Sequence, residues 1–304
     1  MYTKILVPLD GSELSERVLP YARSFAKALK LPVELLQVID PAVIETLSDP
    51  ERGRYVDIVE ADMKGNVQDY LSQVAGSFEG ASTVTCVVRI GNPAEIIADR
   101  GSADPGILIA MSTRGRSGVQ RWVLGSVADK VLHSIVSDML LIRGDGSSRS
   151  DGEAMLKTVV VPLDGSHIAE KVLPHAVGLA KNMKLEVILL RAYSLPASIY
   201  FSGEEYGPDL GQLTEQIREE AREYLEAKVQ ALRSEGLESV SSVLLQGEGA
   251  AEIIDTAQKT PDNLVAMCTH GRSGLSRWVL GSVTERVILH SGDPVLVVRA
   301  AAQA

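Results

Sequence analysis

The stretch GRSGVQRWVLGSV at 115–127 returns as GRSGLSRWVLGSV at 271–283, changed only at 119 and 120 of the first copy. A shorter stretch, VPLDGS, stands at 7–12 and again at 161–166. The two pairs recur in the same order, offset by 156 and 154 residues. A solenoid unit repeats every ~20–50 residues, so this spacing marks a duplicated domain. The shared residues are mostly Gly, Ser, Asp and Pro, which belong to turns and helix starts rather than to a core.

The chain has 304 residues, and each copy is long enough to bury a core of its own. The repeat predicts one domain at 1–144, a polar linker at 145–155 and a second domain at 156–304. A hydrophobic share of 45% with 23% charged residues suits a soluble globular protein. The net charge of −10 argues against non-specific nucleic-acid binding and against docking on an anionic membrane. Cys86 and Cys268 form no CxxC and no disulfide framework, which fits a reducing, cytoplasmic setting. The five histidines show no metal-ligand spacing, so no metal site is expected. MYTKILVPLD turns polar too quickly for a signal peptide, and no apolar run approaches the ~18 residues of a membrane span.

Short apolar runs alternate with helical patterns. The first copy reads as strands at 4–9, 33–39, 83–89, 107–111 and 139–143, with helices at 13–29, 58–76, 93–100 and 126–136. The second reads as strands at 157–163, 185–191, 240–245, 263–267 and 294–299, with helices at 167–182, 212–234, 250–259 and 282–290. Residues 40–57 and 194–210 read as loops. ILIAM at 107–111 and VLVV at 295–298 are continuous apolar runs, as in strands covered on both faces. Strand–helix alternation predicts right-handed crossovers and a doubly wound parallel sheet in each copy. Pro20 and Pro174 lie inside the first helix of each copy and predict a kink there.

Ligands of such sheets sit beyond the carboxyl ends of the strands. Asp10 and Asp164 end the first strand of each copy, beside Pro8 and Pro162. Their carboxylates can accept from a ribose hydroxyl or a base edge; Asp-Gly-Ser also makes an ordinary turn and cap. Gly125-Ser126 and Gly281-Ser282 open a helix, where free N–H groups and the dipole favour an anion. A strand, a Gly-rich loop and a Gly-Ser helix start together make a phosphate cradle; an irregular loop with a plain N-cap has the same pattern. No GxxxxGK followed by Ser or Thr occurs, and no nucleophile–base grouping stands out.

PLDGS together with Gly-x9-Gly-Ser resembles the universal stress protein family, here in tandem, and the resemblance covers nearly the whole chain. Nucleotide-binding members of that family carry G-x2-G-x9-G-S/T after the fourth strand. The later part matches at Gly115 to Gly125-Ser126 and at Gly271 to Gly281-Ser282, whereas the first glycine is replaced by Ser112 and Cys268. The resemblance implies a five-stranded parallel sheet of order 3-2-1-4-5 with helices on both faces. It also implies a site for ATP or another adenine nucleotide, with or without Mg. Carried over, Asp10 and Asp164 would meet adenine or ribose, Val38 and Ala192 would line the base pocket, and the glycines and serines would hold phosphates. Arg114 and His270 precede the matched glycines, so the two pockets need not be equal.

In the family the last strands build a dimer contact. This chain is therefore expected to form a pseudo-dimer internally, with room for a homodimer as well. The expected role is an adenine-nucleotide-binding regulator of the stress response; the alternatives are a nucleotide-free stress scaffold or a weak ATP-hydrolysing enzyme. Trp122 and Trp278 could stack on a base or pack on the sheet. Tyr193, Tyr200, Phe201 and Tyr206 suggest a lid, a partner surface or a packed loop.

Overall fold

The computed structural model describes residues 2–49, 51, 55–113, 124–143, 152–195, 210–269 and 280–299. The chain divides into two compact units: Met1–Met155 with Pro294–Ala304, and Leu156–Asp293. The expected second domain ran from 156 to 304. Its body is unit 2, while residues 294–304 group with unit 1.

Unit 1 runs β1 (Lys4–Leu9), α1 (Glu13–Glu16), α2 (Leu19–Leu29), β2 (Val33–Ile39), α3 (Pro41–Leu47), α4 (Val56–Ala75), β3 (Val84–Ile90), α5 (Pro93–Gly101), β4 (Ile107–Ser112), α6 (Ser126–Ser134) and β5 (Met139–Ile142). Unit 2 runs β6 (Thr158–Pro162), α7 (His167–Glu170), α8 (Leu173–Met183), β7 (Glu186–Tyr193), α9 (Leu210–Ser234), β8 (Val240–Gln246), α10 (Gly249–Lys259), β9 (Asn263–Cys268) and α11 (Ser282–His290). The chain then returns to unit 1 as β10 (Val295–Val298).

The five strands of the first copy stand in the expected order, β3-β2-β1-β4-β5, all parallel. β10 extends that sheet antiparallel to β5, with Leu296 opposite Leu140. In unit 2 the order β8-β7-β6-β9 repeats the 3-2-1-4 part, again parallel. Ile5, Leu6 and Val7 of β1 are all fully buried, and so are Leu108, Ile109 and Ala110 of β4. Consecutive strand residues point to opposite faces, so helices cover both sides of the sheet.

The proline expectation is corrected in degree. Each first helix is divided in two rather than bent, with Pro20 and Pro174 in the opening turn of α2 and α8. Proline there needs no N–H partner, whereas inside one long helix its ring would strike a carbonyl four residues back. A helix, α3, lies in the segment read as a loop. Asp40 caps it by accepting from the Ala42 N–H at 2.9 Å, and Pro41 follows. Among the described residues no helix is long and apolar enough to cross a membrane.

Candidate functional site

β1 and β4 deliver their last residues to one end of the unit 1 sheet, where α6 begins. A cavity of about 270 Å³ opens there. Its strand-tip wall holds Pro8, Asp10, Val38 and Ser112; its far wall holds Gly125 and Ser126. Pro93 and Ile97 of α5 close one side with Leu36 and Met111. Unit 2 repeats the arrangement in a cavity of about 300 Å³, with Pro162, Asp164, Ala192, Cys268, Gly281 and Ser282 in the matching places. Arg114, Gly115, His270 and Gly271 lie outside the described residues, as do Trp122, Trp278, Tyr200, Phe201 and Tyr206.

The aspartates are held by the turn that follows them. Gly11 and Gly165 adopt φ of 78° and 87°, values a side chain would strain. Oδ1 of Asp10 accepts from the Ser12 N–H at 3.0 Å and from the Ser12 hydroxyl at 2.6 Å. Ser12 Oγ in turn accepts from the Ser15 N–H at 3.2 Å, capping α1. Ser15 completes the turn, its hydroxyl donating to the Ser12 carbonyl at 2.8 Å and accepting from the Asp10 N–H at 3.3 Å. The carboxylate is thus oriented by its own loop. In unit 2 Asp164 accepts from the Ser166 N–H at 2.9 Å, while Ala169 stands where Ser15 does and supplies no hydroxyl.

The helix starts are alike. The Gly125 N–H donates to the Thr113 carbonyl and the Gly281 N–H to the Thr269 carbonyl, each at 2.8 Å. The first helical bonds run from Asp129 to Gly125 and from Glu285 to Gly281. The N–H groups of Ser126, Val127 and Ala128 therefore precede the ladder, as do those of Ser282, Val283 and Thr284. These residues line the two cavities, where the acidic side chains among the described lining residues are Asp10 and Asp164 at the strand tips, and a free helix start of this kind suits an anion.

Ser112 and Cys268 are ordinary strand residues. The non-glycine residues with positive φ among those described are Lys30, Lys184 and Asp262, so neither substituted position is strained. Instead their side chains occupy cavity floor. The Cys268 thiol points at the Ala169 carbonyl, 3.6 Å away, and Thr284 Oγ1 donates to the Cys268 carbonyl at 3.0 Å.

A charged network joins α7, α9 and β7 in unit 2. Tyr224 donates to Glu170 at 2.9 Å, and Lys228 pairs with the same carboxylate at 2.8 Å. Arg191 lies 4.8 Å above the Tyr224 ring. Burial, then the Glu170 carboxylate, push the Tyr224 hydroxyl far above its usual range. In the first copy Tyr70 likewise donates to Glu16, at 3.0 Å. Sequence reasoning missed Ser15, Ile97, Ile253 and Thr284. Their single legible signal is position, one turn into the helices that flank the strand tips.

The comparisons with known proteins agree with this architecture. The profile of the universal stress protein family matches residues 1–143 and 155–299. A universal stress protein of Methanocaldococcus jannaschii is 34% identical over 149 residues, which is 49% of this chain and 85% of that protein. One from Mycolicibacterium smegmatis is 24% identical over 299 residues, 97% of this chain and 96% of the relative. A universal stress protein structure from Archaeoglobus fulgidus superposes with a TM-score of 0.69 at 22% identity, covering 97% of this chain and 98% of that one. Duplicated strand-tip aspartates and Gly-Ser helix starts on a doubly wound sheet define a class of α/β proteins with two like cavities. Within that class the chain belongs to the universal stress protein family. It is a tandem member, built of two such domains.

Proposed function

We propose that each cavity binds an adenine nucleotide, ATP or a close relative, and that the protein acts as a nucleotide-responsive regulator of the stress response rather than as a catalyst. One observation carries this reading. In both units an oriented strand-tip aspartate, an apolar slot and the unladdered N–H groups of a Gly-Ser helix start line a single cavity. The volumes sit at the lower end of ligand pockets, roughly 300 Å³ and up. That suits a base and ribose inside, with phosphates lying along the helix start. Asp10 and Asp164 would accept from ribose or base; Ser126 and Ser282 would donate to phosphate, with Mg as a companion ion of the phosphates.

Hydrolysis would need an oriented water and leaving-group stabilisation as well as phosphate donors. The two cavities offer donors, so turnover is expected to be weak at most. A cytoplasmic setting and a lack of nucleic-acid partners follow from cysteine usage and the net charge of −10. An internal pseudo-dimer, to which a homodimer could be added, is the assembly proposed.

Mass spectrometry of the gently denatured protein, together with calorimetry using ATP, tests the reading. Co-purified adenine nucleotide, or ATP binding that weakens in Ser126→Ala plus Ser282→Ala, is expected. Protein that arrives empty and takes up no adenine nucleotide would favour the nucleotide-free scaffold. The Ser112 and Cys268 side chains on the cavity floor are the observation on that side.

A further inference from the structure

We propose that Asn263 and Asp293 form a proton-binding site that tightens unit 2 when the surroundings acidify. Asn263 opens β9 with its side chain almost wholly enclosed, 2% exposed. Its amide nitrogen reaches the Ala257 carbonyl at 2.9 Å, the Thr260 carbonyl at 2.7 Å and Oδ1 of Asp293 at 3.0 Å. The two carbonyls only accept, so the nitrogen must face them and the orientation of the amide is settled.

Two buried oxygens then remain without a partner: Oδ1 of Asn263 and Oδ2 of Asp293. With Asp293 ionised, both are acceptors and neither can satisfy the other. Such a vacancy is costly in a buried place. One proton on Oδ2 of Asp293 turns that oxygen into a donor and leaves Asn263 Oδ1 as its acceptor. The carboxyl and the amide would then pair reciprocally.

Among the described residues no salt bridge reaches the Asp293 carboxylate, and burial dominates its surroundings. On the elements packed here, Lys259 is paired with Asp255 at 2.6 Å and Lys157 with Asp262 at 2.6 Å. His290 ends α11, its backbone carbonyl accepting from Gln258 at 3.4 Å. Burial accordingly pushes the Asp293 carboxyl up to about 6, against a smaller downward pull from the Asn263 N–H.

The sign follows from that direction. A folded pKa above the unfolded value gives stability that is complete below the unfolded pKa of 3.8 and is lost as pH rises through about 6. Unit 2 therefore gains on mild acidification. Asn263 also ties down the carbonyls at the end of α10, so the gain reaches that helix terminus. The feature is particular to the second copy, since Ile107 opens β4 where Asn263 opens β9.

The test uses the full-length chain. Hydrogen exchange of α10, β9 and α11, corrected for the intrinsic pH dependence of exchange, should show protection rising roughly tenfold from about pH 7.5 to about pH 5. Asp293→Asn should remove this rise. A carbon NMR titration of the Asp293 carboxyl in the wild-type chain should have its midpoint near 6. An ordinary carboxylate midpoint would overturn the proposal. So would a rise that survives Asp293→Asn, one that vanishes in His290→Gln, or protection that follows sodium or potassium concentration rather than pH.

Discussion

The Tyr2 hydroxyl donates to Oδ2 of Asp138 across 3.0 Å, in a place where both side chains are buried. The other carboxylate oxygen accepts from the backbone N–H of Arg299 at 2.8 Å. One aspartate just before β5 therefore holds residues from both extremes of the chain within unit 1. Burial and this carboxylate together push the Tyr2 hydroxyl well above its usual range.

Asp138→Ala should be among the most damaging single changes. It removes the acceptor of the buried Tyr2 hydroxyl and the carboxylate that acts on the half-buried Arg299 guanidinium. Loss of one member of such a group costs about 3 kcal/mol. Urea unfolding should show a lower midpoint with an unchanged slope, and Asp138→Asn should recover part of the loss.

Acidification should act on unit 1 with the opposite sign to unit 2. Burial alone would raise Glu34, but hydrogen bonds from Arg100 and Lys4, the latter at 2.9 Å, outweigh it and hold the carboxyl below its ordinary value. A lowered folded pKa gives stability that is present above the usual carboxylate range and lost as pH falls through the folded pKa. Glu34→Gln should be less stable than wild type at neutral pH and lose less below about pH 4. Thermal unfolding followed across pH would show the two curves converging; parallel curves would refute the assignment.

Restoring the family glycine should open the cavity floor. Ser112→Gly should tighten ATP binding several-fold, and Cys268→Gly should do more, because the thiol is larger and a poorer donor. Tenfold corresponds to about 1.4 kcal/mol. Calorimetry on each variant reads this directly. If neither tightens binding, the side chains at 112 and 268 are not what limits affinity.

Ser12→Ala should cost about 1 kcal/mol through the lost cap of α1. It should also loosen Asp10, whose carboxylate takes that hydroxyl at 2.6 Å. Nucleotide affinity in the first site should fall while the second keeps its own. An equal fall in both sites would contradict the local role of this turn.

Much of this was legible beforehand because strands covered on both faces leave unbroken apolar runs. The strand read at 4–9 is β1, and the one read at 107–111 is β4 short by a single residue. α3 escaped because it has no apolar stripe. Ile44 is its one buried residue, while Val43 and Leu47 face outward. The site was legible where backbone chemistry dictates residue type, at Asp10, Gly125 and Ser126. It was not at Ile97 or Thr284, whose places depend on how distant helices pack. The neighbour of β10 left no local trace either, since VLVV reads the same whichever strand it joins.

The pairing of β10 with β5 has a bearing on how the protein is made. A ribosome finishes the first copy long before it reaches Val298. Until then the β5 edge of the nascent first copy lacks its last neighbour and stays open to foreign strands. Only synthesis through Val298 closes it. Truncated products should therefore aggregate or be degraded rather than persist as working half-molecules, and selection would act on the two copies as one inseparable gene product.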